Sequence, residues 1–274
     1  MRVVAVVANK GGVGKSTLAF QVAAETARRG FRVLAVDADK QADLTRYARG
    51  PRLSGLGLDA VLADPPTSLD PRPYIGPVAD NLDLLGTSPR LADVDRIIDQ
   101  GLDDGPFYLR RALEVIADRY DWVVIDTGHS DEIAANVVVV ADILLMPITA
   151  SFPDANHAGD MLHYAAVLRE ELRLPKMDLL QRSMITIWRR QYNGIADAQV
   201  IDRLRQRYGD LVCPAIIPNS SRVSEANEQR LTVRDYAALH ANGRDHTLQA
   251  VVDAYSKVAG HMLARVPAEQ ALAV

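Results

Sequence analysis

The sequence predicts one α/β domain, a doubly wound and mostly parallel sheet with helices on both faces, and three observations carry that reading. An apolar run, Val3–Ala8, passes into the glycine-rich segment Asn9-Lys-Gly-Gly-Val-Gly-Lys-Ser-Thr17. An alanine-rich stretch follows, with neither glycine nor proline until Gly30. Two further apolar runs end in carboxylates, at Asp37-Ala-Asp39 and at Asp126. Strands covered on both faces read as continuous apolar runs, and a doubly wound sheet presents its ligands at the carboxyl ends of such strands. The chain has 274 residues, 48% of them apolar, and shows no Gly/Ser run, charge block or repeat that would mark a linker. Residues 1–274 are therefore expected to form a single domain.

Each element has a local reason. The first strand ends at a loop suited to phosphate. Gly11, Gly12 and Gly14 let the backbone curl so that successive N–H groups converge on an anion. Lys15 reaches the terminal phosphates, and the Ser16 hydroxyl is a Mg²⁺ ligand in a G-x-x-x-x-G-K-[ST] loop. The first glycine of that spacing falls on Asn9, and a second lysine, Lys10, follows it. Lys10 has little to do for phosphates bound in its own loop, so it is expected to reach a nucleotide held by a partner. The helix from Thr17 to Arg29 then places its N-terminus under the phosphates and stops at Gly30. Strand ends at Asp37 and Asp126 are expected to hold Mg²⁺, with Asp39 in the first turn beyond. The stretch Asp64–Pro77, with five prolines, reads as a surface excursion. Val137–Ile148 is interrupted by Asp142 and is too short to span a bilayer. Cys213, the only cysteine, lies in the apolar run Leu211–Ile217 and reads as a small core residue. No leader precedes the first strand, and a cytoplasmic protein is expected.

Lys10-Gly-Gly-Val-Gly-Lys-Ser-Thr17 resembles the deviant Walker A box of the ParA/MinD superfamily of P-loop ATPases. Further likenesses run to about residue 265. Phe31–Gln41 resembles the second strand and the D-x-D-P-Q switch I segment. Asn81–Leu85 resembles an N-L-D-L strand, Tyr120–Thr127 the Walker B strand, and Ala141–Pro147 an A-A-D-x-x-x-x-P strand. Ile217-Pro218 with Arg222 and Glu225-Ala226 resembles a stretch of the chromosome- and plasmid-partitioning branch. The resemblance implies a slow ATPase with ATP and Mg²⁺ as ligands. It implies that Gly11, Gly12, Val13, Gly14, Lys15, Ser16 and Thr17 bind phosphate, that Pro218 and Asn219 lie on the nucleotide, and that Ser16, Asp37 and Asp126 bind the metal. Lys10, Lys15 and Asp39 would be catalytic, with Asp39 positioning the attacking water. Two ATPs would be trapped in a sandwich homodimer, with Lys10 acting across it. Some positions depart from the pattern. Lys40 replaces a proline, Ala42-Asp43 replaces Gly-Asn, and Gly128-His129 replaces Pro-Pro. Switch I is therefore expected to be less rigid, and His129 reads as a turn residue.

The net charge of −4 means that any nucleic-acid contact must come from a local patch, doubled in a dimer. Two clusters qualify. Ser183–Tyr192 reads as a strand leading into a basic, aromatic loop with Trp188, Arg189 and Arg190. Arg222 follows the strand ending at Pro218 and matches a DNA-binding position of the partitioning branch. A helix near residues 195–208 adds Arg203, Arg205 and Arg207. Phosphate contacts need surface cations and little else. The expected function is a ParA-type partition ATPase on non-specific double-stranded DNA, nucleoid-associated, with a ParB-like centromere-binding partner. The alternative is a MinD- or MipZ-like positioning ATPase. No basic amphipathic C-terminus argues for membrane attachment. The single cysteine opposes a metal-cluster carrier, and the double-glycine signature opposes a P-loop kinase or amidoligase.

Overall fold

The computed structural model describes residues 1–48, 57–63, 70–94, 105–128, 131–150, 154–175, 177–189, 195–240 and 245–266. Its centre is an eight-stranded sheet: β1 (Arg2–Val6), β2 (Val33–Ala38), β3 (Ile75–Ala79), β4 (Leu82–Leu85), β5 (Trp122–Thr127), β6 (Ile143–Thr149), β7 (Met184–Arg189) and β8 (Val212–Pro218), in the order β3-β4-β2-β5-β1-β6-β7-β8. All neighbours are parallel except β3 and β4. The predicted doubly wound sheet is thus the observed one. The proline-rich excursion is shorter than expected, because Ile75–Ala79 pairs as the antiparallel edge strand. Pro77 fits there, since an edge strand needs no ladder donor on its outer side.

The register sets up the site. Val6 pairs with Asp126, and Asp126 pairs with Asp37. The ends of β1, β5 and β2 are therefore level, and the loops after them open side by side.

The core lies in two layers. Side chains alternate across a strand, so Val3, Ala5 and Val7 face one layer and Val4 and Val6 the other. The first layer is covered by α4 (Tyr108–Glu114), α5 (Asp131–Val140) and α6 (Asp154–Glu171). The second is covered by α1 (Lys15–Ala27), α9 (Ser221–Glu228), α10 (Val233–His240) and α11 (His246–Ala264). Short helices α2 (Asp43–Tyr47), α3 (Leu58–Ala63) and α7 (Met177–Arg182), and the longer α8 (Ile195–Tyr208), complete the chain order. Arg169 on α6 is buried and donates to the carbonyls of Val138, Val139 and Ala141. It thereby satisfies the C-terminal carbonyls that α5 leaves unpaired. Cys213 is buried, as its apolar surroundings predict.

Candidate functional site

The loop between β1 and α1 has the curl that its glycines predict. Gly12 and Gly14 take φ values of 74° and 82°. Gly14 is the N-cap of α1 in the left-handed region, and its carbonyl accepts from Leu18 N–H. The first free N–H groups of α1 therefore open toward the carboxyl edge of the sheet, where an anion is favoured. Lys15 is buried, and burial lowers its pKa while the charges of Asp126 and Asp39 raise it. Lys10 is exposed at the start of the loop, whereas Lys15 is buried. The two lysines thus stand in different environments.

Asp126 and Asp39 bring their charges to bear on Lys15, and Asp37 lies beside Asp126. Asp37 and Asp126 are fully buried partners on neighbouring strands. Asp37 is committed to local structure. It accepts from Thr45 Oγ1 at 2.6 Å, from Thr45 N–H at 2.8 Å and from Asp39 N–H at 3.1 Å. Burial nevertheless raises its pKa to about 6, against the lowering effect of these hydrogen bonds. Asp126 is different. Among the described residues neither of its buried oxygens has a hydrogen-bond partner at normal geometry, and the Ser16 hydroxyl is a nearby donor. Burial, then the charge of Asp37, hold its pKa well above the usual carboxylate range, and the nearby Ser16 hydroxyl only partly offsets them. A buried carboxylate without a partner is costly, and a divalent cation removes that cost. The donor set, Asp126 with the Ser16 hydroxyl beside it, is the all-oxygen set that Mg²⁺ prefers. Ser16 and Asp126 would hold the ion, and Asp37 would contribute charge from behind Thr45.

Asp39 leaves β2 into the turn before α2. Its Oδ1 accepts from Gln41 N–H at 3.0 Å. It also lies 3.0 Å from where a β-carbon on residue 128 would stand. Gly128 therefore packs closely against the Asp39 side chain. His129 lies outside the described residues.

The expected loosening of switch I meets a specific finding. Ala42 stands in the left-handed region, φ 54° and ψ 36°, as the N-cap of α2. Its N–H donates to the Asp39 carbonyl at 2.8 Å. The backbone keeps a glycine conformation with an alanine in it, at a penalty of about 1 kcal/mol. Ala42→Gly is therefore expected to stabilise the protein by ~0.5–1 kcal/mol, raising Tm by about 2 °C. Thermal denaturation checks this, and a lower Tm would show that the turn has no strain to release.

Of the predicted DNA-binding residues, Arg222 is the one with a described side chain, and it is paired with Glu225 at 2.7 Å and Asp245 at 3.6 Å. Arg189 ends β7, and Arg190 lies outside the described residues. Trp188 lies one residue before the end of that strand. Its ring turns inward onto Gly14 of the phosphate loop. Pro218 and Asn219 close β8, on the side of the loop away from the three carboxylates. Two participants were not read from the sequence. Thr45 holds Asp37, and its place in the first turn of α2 was the available signal. Asn227 donates through Nδ2 to Thr17 Oγ1 at 3.0 Å, tying α9 to the residue after Ser16. Its distance of 210 residues from Thr17 left no local signal.

A family model described as an AAA domain matches residues 1–176. The chain is 29% identical over 276 residues to the chromosome-partitioning ATPase Soj of Thermus thermophilus, covering 97% of each chain. It is 26% identical over 236 residues to the sporulation initiation inhibitor protein Soj of Bacillus subtilis, covering 82% of this chain and 87% of that one. It is 29% identical over 239 residues to the chromosome partitioning protein ParA of Caulobacter vibrioides, covering 82% and 84%. Among solved structures, a putative plasmid partition protein from Borrelia burgdorferi bound to AMPPNP superposes with a TM-score of 0.75 at 21% identity, over 97% and 99% of the two chains. A cobyrinic acid a,c-diamide synthase from Mycobacterium smegmatis does so at 0.74 and 22%, over 95% and 93%. At such identities the structures share the fold, and one fold serves both chemistries. Kinship of sequence and the build of the phosphate loop agree, and this chain belongs to the AAA-domain family, in its ParA/MinD superfamily of Soj- and ParA-like partition ATPases.

Proposed function

We propose that this chain is a ParA-type partition ATPase that binds MgATP, dimerises face to face around two nucleotides, hydrolyses them slowly and binds double-stranded DNA without sequence preference. The observation that carries the reading is the unpartnered, buried Asp126 carboxylate beside Ser16 and Lys15, at the mouth of a left-handed glycine loop. Mg²⁺ supplies neutralisation of the carboxylate and phosphate charge there. Lys15 serves as the in-loop cation for the terminal phosphates. Asp39, anchored by Gln41 N–H and accommodated by Gly128, orients the attacking water. Lys10 is exposed whereas Lys15 is buried, and in this reading it reaches the bridge between β- and γ-phosphates from a second copy. Positive charge supplied there in trans favours phosphoryl transfer. ATP then favours the dimer and hydrolysis dissolves it. Pro218 and Asn219 sit on the nucleoside side. The relatives' names, which speak of chromosome and plasmid partition, support a cargo of DNA, and a ParB-like partner and a nucleoid location are part of the same proposal. Among the described residues no helix is long and apolar enough to cross a membrane.

The DNA step is tested by titrating a fluorescent duplex against salt with ATP present. Binding is expected to need ATP and to fall with a log–log slope of about −0.9 per phosphate neutralised. Arg222→Ala removes one cation per subunit, so the slope is expected to flatten by roughly 2 in the dimer. An unchanged slope would place the DNA surface elsewhere, on Arg189, Arg190 or α8. A second reading, a positioning ATPase with a protein cargo, is favoured by one observation: Arg222 is already engaged by two carboxylates. Absence of ATP-dependent duplex binding at low salt would select that reading.

A further inference from the structure

We infer that Trp188 is a positioning residue for the phosphate loop, a rigid aromatic wall that holds Gly14 in the conformation that binds nucleotide. The inference rests on the nucleotide reading of the loop. It begins with a contact that the strand order alone does not require. β7 is separated from β1 by β6, yet the indole of Trp188 reaches back to the loop that leaves β1. A β-carbon on Gly14 would stand 3.0 Å from Cζ2, 3.3 Å from Cε2 and 3.4 Å from Cη2 of the ring. The six-membered edge of the indole therefore lies flush against the Gly14 backbone.

The wall is itself braced. The Trp188 backbone pairs with Thr149 on β6 and with Ile217 on β8, and its carbonyl accepts from Ala150 N–H at 3.0 Å. Behind the ring stands Tyr255 of α11, edge-on, with centroids 5.9 Å apart and planes at 72°. Tyr255 is fully buried in the layer that α1 and α11 share. The ring thus has packed side chains on one side and the phosphate loop on the other, with no room to withdraw. Aromatic packing of this kind supplies area and rigidity at small entropic loss.

The contact explains two features together. Gly14 has to be glycine twice over: φ is 82°, and the ring fills the space a side chain would need. The indole Nε1 and the Tyr255 hydroxyl are also buried without hydrogen-bond partners among the described residues. Unsatisfied donors of this kind are rare in native interiors. Two of them on one aromatic pair, directly behind the phosphate loop, mark a place where local packing has been favoured over polar satisfaction. Truncating the ring would leave a void behind Gly14. The loop would then sample other conformations, and nucleotide binding would have to order it. A preorganised anion cradle binds more tightly than one assembled on binding.

The consequence is selective. The wall acts on the loop backbone that cradles phosphate, so it affects ADP and ATP alike and leaves the Asp126 and Asp39 chemistry of the saturated site in place. The test uses calorimetric titration of MgADP and of a non-hydrolysable MgATP analogue into full-length wild type, Trp188→Phe and Trp188→Ala, with tryptophan emission recorded in parallel. Trp188→Ala is expected to lose about tenfold or more in affinity for both nucleotides, and Trp188→Phe to stay within about threefold of wild type. Wild-type emission is expected to change on saturation, and Trp188→Phe, still binding, to lose that change. The Trp188→Phe result keeps the test valid if Trp188→Ala folds poorly. Wild-type binding with unaltered Trp188→Ala affinity, or an emission change that persists in Trp188→Phe, would overturn this inference alone. Failure of wild type to bind either nucleotide would overturn the nucleotide reading, and this inference with it.

Discussion

Lys15→Ala will abolish measurable ATP binding, whereas Lys10→Ala will bind ATP as a monomer within about threefold of wild type. Lys15 is 7% exposed and faces the charges of Asp126 and Asp39. Without it, the phosphates would meet three carboxylates with no cation inside the loop. Charge-assisted hydrogen bonds are worth roughly 1.5–3 kcal/mol each. Losing two of them corresponds to a factor of about 10² to 10⁴ in affinity. Lys10 is exposed, and its removal is expected to leave the cradle of its own subunit in place. Calorimetric titration at a protein concentration too low for dimers checks both variants. Equal losses would mean that Lys10 acts on its own subunit's nucleotide.

Asp126→Asn will raise the stability of the nucleotide-free protein at neutral pH while reducing MgATP hydrolysis by a factor of about 100 or more. The stability half follows from linkage. The folded pKa of Asp126 lies above its ordinary value of 3.8, because burial and the neighbouring Asp37 oppose ionisation. A raised carboxyl pKa gives stability that is full below pH 3.8 and is lost as pH rises through the folded value. Asp37 behaves in the same sense, with its window running from 3.8 to about 6. Wild type should therefore lose stability relative to Asp126→Asn as pH climbs above 3.8, and the variant should melt at the higher temperature at pH 7. Added Mg²⁺ and ATP should reverse the order, since only wild type retains the metal ligand. Melting curves at several pH values check the sign. A variant less stable than wild type at pH 7 would show that Asp126 supports the fold rather than the metal.

Most of this site is legible along the chain, because the residues that build it are close in sequence. Gly12, Gly14, Lys15 and Ser16 belong to one turn, and Asp37 and Asp126 end apolar runs, so local pattern is enough to place them. The sheet follows from the same runs, since a strand buried on both faces leaves a continuous apolar signature. What local pattern could not supply was side-chain direction. Trp188 beside Arg189 and Arg190 reads as part of a basic aromatic surface. In the pleat, successive residues point to opposite faces, and Trp188 turns inward. Arg222 reads as a free cation; its partner Glu225 is an i,i+3 neighbour on α9 that local spacing could have shown, and only Asp245 requires that α9 meet the start of α11. Pro77 reads as the end of a surface excursion because proline usually interrupts strands; edge pairing to β4 is a tertiary fact. Ala42 is the reverse case. The sequence change suggests a new backbone, and the tertiary contacts of Asp37 with Thr45 hold the old one.

The account depends most on two copies of this chain closing around ATP. Sedimentation velocity measures it directly, with wild type and Lys10→Ala each run with ADP and with a non-hydrolysable ATP analogue, Mg²⁺ present throughout. Wild type should sediment as a monomer with ADP and as a dimer with the analogue, while Lys10→Ala should remain a monomer with both and still carry bound nucleotide. A wild-type protein that binds the analogue yet stays monomeric at concentrations well above its nucleotide Kd would contradict the account.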